Sequence, residues 1–250
     1  MQDGISTTKT MGHGLGAIKR LSDDFDIYSQ PGWGTIVLSR IYVSPPDKFK
    51  KKVVNIRGLM LAKSGETACG DGYDYFLKGN RLKFVISDGL GHGEDASTAT
   101  TEGLNAFQAS ITATPAEQIK LIHKAIRKTR GAVMSIIHFD FSNKQMVYCG
   151  VGNIAAKLLP PVDKYKTCIS YNGIVGHSIP GTLNNHPYQW TKSDLFIAHS
   201  DGLSSRWDLQ KYPGIHRCDP SILLAALYKD YERGNDDVSV VVITQNNPSV

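Results

Sequence analysis

The chain has 250 residues, of which 28 are Lys or Arg and 23 are Asp or Glu, so its formal net charge is +5. Its 41% hydrophobic and 20% charged residues are typical of a folded globular protein, long enough for one large domain or two smaller ones. No apolar run approaches the roughly 20 residues of a membrane helix, and the first residues lack the apolar stretch of a signal peptide. We therefore expect a cytoplasmic protein with no membrane partner.

Neither the basic residues nor the cysteines indicate a specialised site. The basic run KFKKK at residues 48–52 could contact nucleic acid, but no recognition motif accompanies it, and a solvated linker is the favoured interpretation. We expect no nucleic-acid partner. The cysteines form no C-x-x-C pair and are expected to be reduced, with neither a zinc site nor a disulfide framework. They are Cys69, Cys149, Cys168 and Cys218.

The first 44 residues read as a short unit of their own. In GLGAIKRLSDDFDIYS, apolar residues recur at helical spacing and predict a helix that extends to Phe25. The run PGWGTIVLSRIY then predicts a glycine turn that leads into a strand. Two prolines and the lysine cluster follow, so we predict a unit over residues 1–44, a linker over 45–52 and a second domain over 53–250.

Strands and helices of the second domain come in blocks. VVNIRGLMLAK and RLKFVIS read as strands, followed by a helix whose small residues allow close packing and a helix that opens with a capping box, Thr114 to Glu117. Strand-like runs follow, then a helix that starts at Asp219 and Pro220, and a last strand, DDVSVVVIT. This order predicts an α+β domain with mainly antiparallel sheets and helices outside them.

Two copies of Ser-Asp-Gly-Leu end apolar runs, and each carries an aspartate, Asp88 and Asp201. Asp-Gly is a common hairpin turn, but a helical pattern follows Asp88 and no immediate strand follows Asp201. Asp71, between two predicted strands, and Asp236, at the entrance to the last strand, have comparable settings. If these carboxylates met in one pocket they would repel each other, so a shared location implies hard cations such as Mg²⁺ or Mn²⁺. Spacing alone leaves open whether they meet.

The four acidic motifs, in the order CGDGY, ISDGLGHG, HSDGL and NDDVSVVVI, resemble the SpoIIE-type branch of the metal-dependent (type 2C) protein serine/threonine phosphatases. The resemblance covers nearly all of residues 53–245. It implies an αββα sandwich, in which two mainly antiparallel sheets are flanked by helices, and a centre that holds two Mn²⁺ or Mg²⁺ ions.

The resemblance also implies a role for each acidic residue. Asp88 would bridge the two ions with help from the Gly89 carbonyl, and Asp71 and Asp201 would hold one ion. Asp236 would complete the cluster. The neighbouring Asp237 stands where relatives often carry Asn, so it is not the expected ligand.

Other polar residues near these motifs have two interpretations each. His92 is a candidate general acid that would protonate the leaving serine oxygen, or else a residue at a helix start in a Gly-rich turn. The wider family places its histidine differently, so the resemblance does not assign this role. His199 is expected in the core, and Asp74 is expected to be a solvated loop acid rather than a residue supporting the ligands.

The N-terminal unit resembles the closing third of a GHKL-type ATPase of the anti-sigma serine kinase group. Residues 12–16 match the glycine box of that group, and PGWGT matches its final hairpin. The Asn helix that binds magnesium and the acidic adenine-binding motif lie upstream in the family and have no counterpart here, so we expect neither ATP binding nor kinase activity. Such a helix–strand remnant cannot bury both its faces unaided, and would dock on the phosphatase domain, find a partner chain or remain loose.

Together these features predict a phosphatase that hydrolyses phosphoserine or phosphothreonine with a metal-activated water. By family analogy, the substrate is a phosphorylated STAS-type (anti-anti-sigma) regulator in a bacterial partner-switching pathway. The alternative is a catalytically inactive phosphatase fold that binds its partner in the same pathway without turnover.

Overall fold

A computed structural model describes residues 14–44, 53–160 and 165–246. The helices are α1 Gly14–Leu21, α2 Glu94–Ala109, α3 Pro115–Ala125 and α4 Pro220–Tyr231, with 3₁₀ turns at Leu209–Lys211 and Ile215–Arg217. The strands are β1 Asp24–Gln30, β2 Gly34–Arg40, β3 Val54–Leu61, β4 Asp71–Lys78, β5 Arg81–Gly89, β6 Ala132–Asp140, β7 Gln145–Val151, β8 Ala155–Leu159, β9 Lys166–Thr167, β10 His186–Gln189, β11 Leu195–His199 and β12 Val238–Gln245. Within these ranges no helix is both long and apolar enough to span a bilayer.

Two five-stranded antiparallel sheets form the centre of the protein. Their strand orders are β10–β7–β6–β5–β4 and β3–β12–β11–β8–β9. Because successive side chains of a strand point to opposite faces, Phe84 and Ile86 pack between the sheets, whereas Val85 packs against the helices α2 and α3. The helix α4 covers the second sheet. This architecture confirms the predicted α+β sandwich of two antiparallel sheets flanked by helices.

Two segments differ from the sequence-based prediction. The helix α1 ends at Leu21 and not at Phe25, because the alternating run DFDIYSQ forms β1 and pairs along its length with β2. Asp71 was predicted between strands but begins β4, which forms a hairpin with β5. Asp74 therefore lies on a strand and not in a solvated loop. Its Oδ2 accepts a hydrogen bond from Gln108 Nε2 at 2.7 Å.

The β1–β2 hairpin docks on α4. Trp33 Nε1 donates to both carboxylate oxygens of Asp230, at 3.0 and 2.9 Å, and Arg40 donates to both oxygens of Asp219, at 2.8 and 2.9 Å. Tyr28 is buried in the same cluster as the apolar side chains of α4. Of the three outcomes considered for this unit, the structure shows that the hairpin docks on the predicted phosphatase domain. Outside the described residues lie Gly12 and His13 of the glycine box and the linker 45–52.

The half-buried His138 on β6 makes the fold sensitive to acid. Its Nε2 bonds to Gln118 Oε1 at 2.7 Å, and burial lowers its pKa from 6.5 to about 3. As the pH falls below 6.5, the unfolded chain takes up a proton that the folded protein does not, so stability is lost toward pH 3. We expect about 2 kcal/mol to be lost from this group between about pH 7.5 and pH 5.

Urea denaturation of wild type and His138→Gln at both pH values measures this loss. Gln keeps a donor for Gln118 but does not titrate, so the variant should lose about 2 kcal/mol less than wild type on acidification. Equal losses in the two proteins would contradict this assignment.

Candidate metal centre

Asp71 and Asp88 face each other across the β4–β5 hairpin. They are direct cross-strand partners at the open end of the hairpin, where β4 begins and β5 ends. Gly89 N donates to Gly70 O at 3.0 Å and continues the pairing past them. Directly opposite side chains of an antiparallel pair lie within a few ångströms of each other, so the register alone brings these two carboxylates together.

Asp201 and Asp236 lie at neighbouring strand ends of the second sheet. Asp201 follows the end of β11, and Asp236 precedes the start of β12, its antiparallel neighbour. The two strand ends are fixed to each other because Ser200 N donates to Ser239 O, and Ser239 N donates to Ser200 Oγ, both at 3.0 Å.

Asp88 lies within electrostatic range of the other three candidate ligands and of Asp237. Burial raises the pKa of Asp88, and the negative charges of Asp71, Asp201, Asp236 and Asp237 raise it further. The structure therefore pairs Asp71 with Asp88 and places Asp201 and Asp236 within electrostatic range of Asp88. Their role as metal ligands remains a prediction.

Asp71 is the most deeply buried of the four, with 4% of its surface exposed. Burial raises its pKa, an effect that the hydroxyl groups of Ser200 and Ser239 oppose. Its Oδ2 atom is buried and has no hydrogen-bond partner among the described residues. Leaving a buried carboxylate oxygen without a partner costs stability. A bound cation would supply the missing partner.

The donor set fits hard divalent cations. Within the described ranges, no three or more His, Cys, Asp or Glu side chains are close enough together to hold one ion by themselves. Mg²⁺ usually keeps several waters and binds proteins through only one or two carboxylates. The paired carboxylates of Asp71 and Asp88, with the unsatisfied Oδ2, meet that smaller requirement.

Gly89 occupies a position that has no space for a side chain. A Cβ atom at Gly89 would lie 2.2 Å from the carbonyl oxygen of Ala96, in the first turns of α2. The strand end and the helix therefore touch backbone to backbone directly after Asp88. This contact explains why glycine follows the aspartate; the coordination of an ion by the Gly89 carbonyl stays a prediction.

Asp237 has a different environment from Asp236. It is buried, and its two carboxylate oxygens accept hydrogen bonds from the backbone N–H groups of Lys63 and Gly70, both at 2.7 Å. Asp237 therefore fixes the loop between β3 and β4, the loop that leads to Asp71. Asp236 Oδ1 accepts the N–H of Asp237, at 2.9 Å.

We expect Asp237→Ala to lower the free energy of unfolding by about 2 kcal/mol, because two buried N–H groups lose their acceptor. Asp236→Ala is the matched control and should change the stability of the metal-free protein by less than about 1 kcal/mol. Urea denaturation in the presence of a chelator measures both. A larger loss for Asp236→Ala would reverse this division of roles.

His92 and His199 have separate environments. His92 Nδ1 lies 2.6 Å from Glu66 Oε1, on the loop between β3 and β4, and the ring is about half exposed. His199 is buried in β11, where Trp207 Nε1 donates to its Nε2 at 3.0 Å and burial lowers its pKa to about 4. His199 is thus a core residue, as expected.

Sequence reasoning missed two residues that hold the predicted site residues. Glu66 is the partner of His92, and Asn153 Nδ2 donates to Asp201 Oδ2 at 2.8 Å. Asn153 lies in the turn between β7 and β8, far from Asp201 in sequence. Since each of these residues stands alone in its loop, no motif indicated either contact.

Comparison with known proteins gives consistent matches. The family model described as Stage II sporulation protein E (SpoIIE) matches residues 78–246. This match includes Asp88, Asp201 and Asp236 but begins after Asp71. Among curated proteins, the phosphoserine phosphatase RsbX of Bacillus subtilis (strain 168) is 27% identical over 146 residues, which are 58% of this chain and 72% of RsbX.

Solved structures extend the likeness over the fold. A structure of the bacterial stressosome, described as a modular system adapted to control secondary messenger signaling, is 27% identical, with a TM-score of 0.72 over 77% of this chain and 100% of its own. RsbX in complex with magnesium is 22% identical, with a TM-score of 0.70 over 79% and 98%. The PP2C phosphatase domain of SpoIIE from Bacillus subtilis is 19% identical, with a TM-score of 0.62 over 78% and 64%. The last two likenesses concern the fold alone.

Proposed function

The chain belongs to the Stage II sporulation protein E (SpoIIE) family and is a protein serine/threonine phosphatase with the type 2C fold, and we propose that Asp71, Asp88, Asp201 and Asp236 are the ligands of its metal centre. The observation that supports this proposal is the Asp71–Asp88 pair with one buried Asp71 oxygen unpartnered, together with Asp201 and Asp236 at neighbouring strand ends of the second sheet. We assign Mn²⁺ or Mg²⁺ to this centre, since every protein ligand is an oxygen atom.

The protein's own residues hold and orient the reacting groups. Divalent ions bound there would activate a water for attack on phosphorus and neutralise charge on the phosphoryl oxygens. Asp88, fixed at the end of a central strand, lies opposite Asp71 and within electrostatic range of Asp201 and Asp236. Asn153 orients Asp201 through its side-chain amide. Hydrolysis by water leaves serine and inorganic phosphate, with no covalent phosphoenzyme.

His92 is the proposed general acid. Its bond to Glu66 fixes the ring through Nδ1, which leaves Nε2 to donate a proton to the departing serine oxygen. We expect His92→Gln to slow hydrolysis of a phosphoserine peptide at least about tenfold more than hydrolysis of p-nitrophenyl phosphate, whose leaving group needs no proton. Equal slowing of both substrates would assign His92 a structural role at the start of α2.

The proposed substrate is a phosphorylated STAS-type regulatory protein in a partner-switching pathway. Its support is the similarity to RsbX, a phosphoserine phosphatase, and to a stressosome structure, together with the resemblance of the N-terminal unit to anti-sigma kinases. This support is by analogy and is weaker than the geometry of the site.

The decisive experiment measures hydrolysis of p-nitrophenyl phosphate, and of phosphorylated STAS-type proteins, by purified protein with and without added Mn²⁺ or Mg²⁺. Turnover should require the ion and stop in a chelator. Thermal stabilisation by Mn²⁺ provides a second readout of binding. Undiminished turnover in a chelator would overturn the metal-dependent mechanism.

A further inference from the structure

A groove of about 680 Å³ lies directly beside the candidate metal centre. Leu90, which lines it, is two residues from Asp88, so the groove opens at the catalytic end of β5. One wall is α2, and the opposite wall is the segment that precedes β6, together with His177. Its size is in the range of ligand-binding clefts, and Leu90 places it next to the loop that follows Asp88.

The two walls carry opposite charge. Asp95 and Glu102 project from one face of α2, where residues one and two turns apart align. Lys128 and Arg130 lie on the facing segment, and all four side chains are exposed. A groove with one acidic and one basic wall is suited to an extended polypeptide with charged side chains, and less suited to an apolar ligand.

The backbone of Arg130 is held rigidly. Its carbonyl oxygen bonds to His177 Nε2 at 2.7 Å, and the next residue, Gly131, has φ +76° and leaves no room for a Cβ beside His177. The Gly131 carbonyl accepts the N–H of Leu90 at 3.0 Å. This segment is thus tied to the loop that follows Asp88.

The guanidinium of Arg130, in contrast, has an exchangeable partner. It reaches across the groove to Asp95, at 2.7 Å, and lies against the backbone of Gly91. Both members of the pair are more than half exposed, and ion pairs of this kind contribute little to stability. An incoming carboxylate can therefore replace Asp95 at low cost, because a planar guanidinium matches either acceptor equally well.

We propose that this groove binds the polypeptide segment that flanks the phosphoserine. Arg130 selects segments that carry an acidic side chain, because that side chain takes the place of Asp95 in the ion pair with Arg130. This inference rests on the proposed function and adds a substrate preference to it. The acidic wall of α2 would repel the same side chain, so the charge pattern also sets the direction in which the polypeptide lies.

The test is a set of phosphoserine peptides on a neutral background, with one Asp or one Lys placed in turn at each flanking position. With Mn²⁺ present, wild type should cleave the best Asp peptide about fivefold more efficiently, in kcat/KM, than its Lys counterpart. Arg130→Glu should reverse this ratio. Arg127→Glu, an exposed charge reversal on the same segment but outside the groove lining, should leave the ratio as in wild type.

The ratio separates the competing outcomes. If Arg130 bound the phosphate itself, Arg130→Glu would slow the hydrolysis of all peptides alike and keep the wild-type ratio, which would overturn the proposal. The absence of any preference in wild type would also overturn it. Peptide binding to Asp88→Asn, measured by fluorescence anisotropy, gives the same comparison without turnover. If Asp peptides bound more tightly than Lys peptides but wild type showed no metal-dependent hydrolysis, the proposed function would be rejected. The proposed role of the groove in peptide binding would still stand.

Discussion

Asp88→Asn should reduce metal-dependent phosphatase activity at least about 1,000-fold while making the metal-free protein more stable. Asp88 lies opposite Asp71 and within electrostatic range of Asp201 and Asp236, so its carboxylate would be the central ligand of the proposed site. The same crowding is unfavourable without cations, since burial and like charges both raise its pKa. A neutral amide of the same shape removes that repulsion, and we expect the melting temperature in a chelator to rise by about 2–4 °C.

The measurement combines p-nitrophenyl phosphate turnover with thermal unfolding in a chelator and in Mn²⁺. In the variant, Mn²⁺ should no longer add stability. Asp74→Asn is the matched control, because Asp74 lies on the hairpin partner of β5 but bonds to Gln108. It should keep both activity and the response to Mn²⁺. Loss of activity together with loss of metal-free stability would indicate a structural role for Asp88.

Trp33→Ala should lower the free energy of unfolding by about 3 kcal/mol. The indole packs edge-on against Tyr212, with ring centroids 5.5 Å apart, and Lys229 Nζ lies 4.5 Å from its ring. Its N–H donates to Asp230. The truncation therefore removes a large aromatic contact and a charge-assisted hydrogen bond from the interface between the N-terminal hairpin and α4.

Urea denaturation followed by near-UV circular dichroism measures this effect. Val37→Ala is the control within the same hairpin, because Val37 is exposed on the other face of β2. It should cost less than about 1 kcal/mol. If the two substitutions had equal and small effects, the hairpin would contribute nothing to the stability of the domain.

The sequence predicted the sandwich because its signals are local. Apolar runs marked the central strands, and the capping box marked α3, where Thr114 N donates to Glu117 Oε2 at 2.9 Å. The strand β4 was not predicted, because its sequence, with Gly72 and alternating polar and aromatic residues, resembles that of an irregular loop. Its strand geometry comes from pairing with β5, a tertiary contact that propensity does not contain.

The candidate site was predicted only in part. The four aspartates were found through the Asp-Gly motifs and the family resemblance, but their convergence depends on the register of β4 with β5 and on the pairing of β11 with β12. Contacts between residues far apart in sequence leave no periodic signal. The bonds of Glu66 to His92 and of Asn153 to Asp201 are of this kind.

Asp219 contacts three parts of the chain that lie far apart in sequence: α4, the N-terminal hairpin and β3. It caps α4 through Ser221 N, pairs with Arg40 of the hairpin and lies 3.5 Å from Arg57 of β3. The match to the SpoIIE family model begins at residue 78, after the hairpin, β3 and Asp71. A boundary drawn at residue 78 would therefore remove Arg40 and Arg57, and the carboxylate at the start of α4 would lose both of these counter-charges.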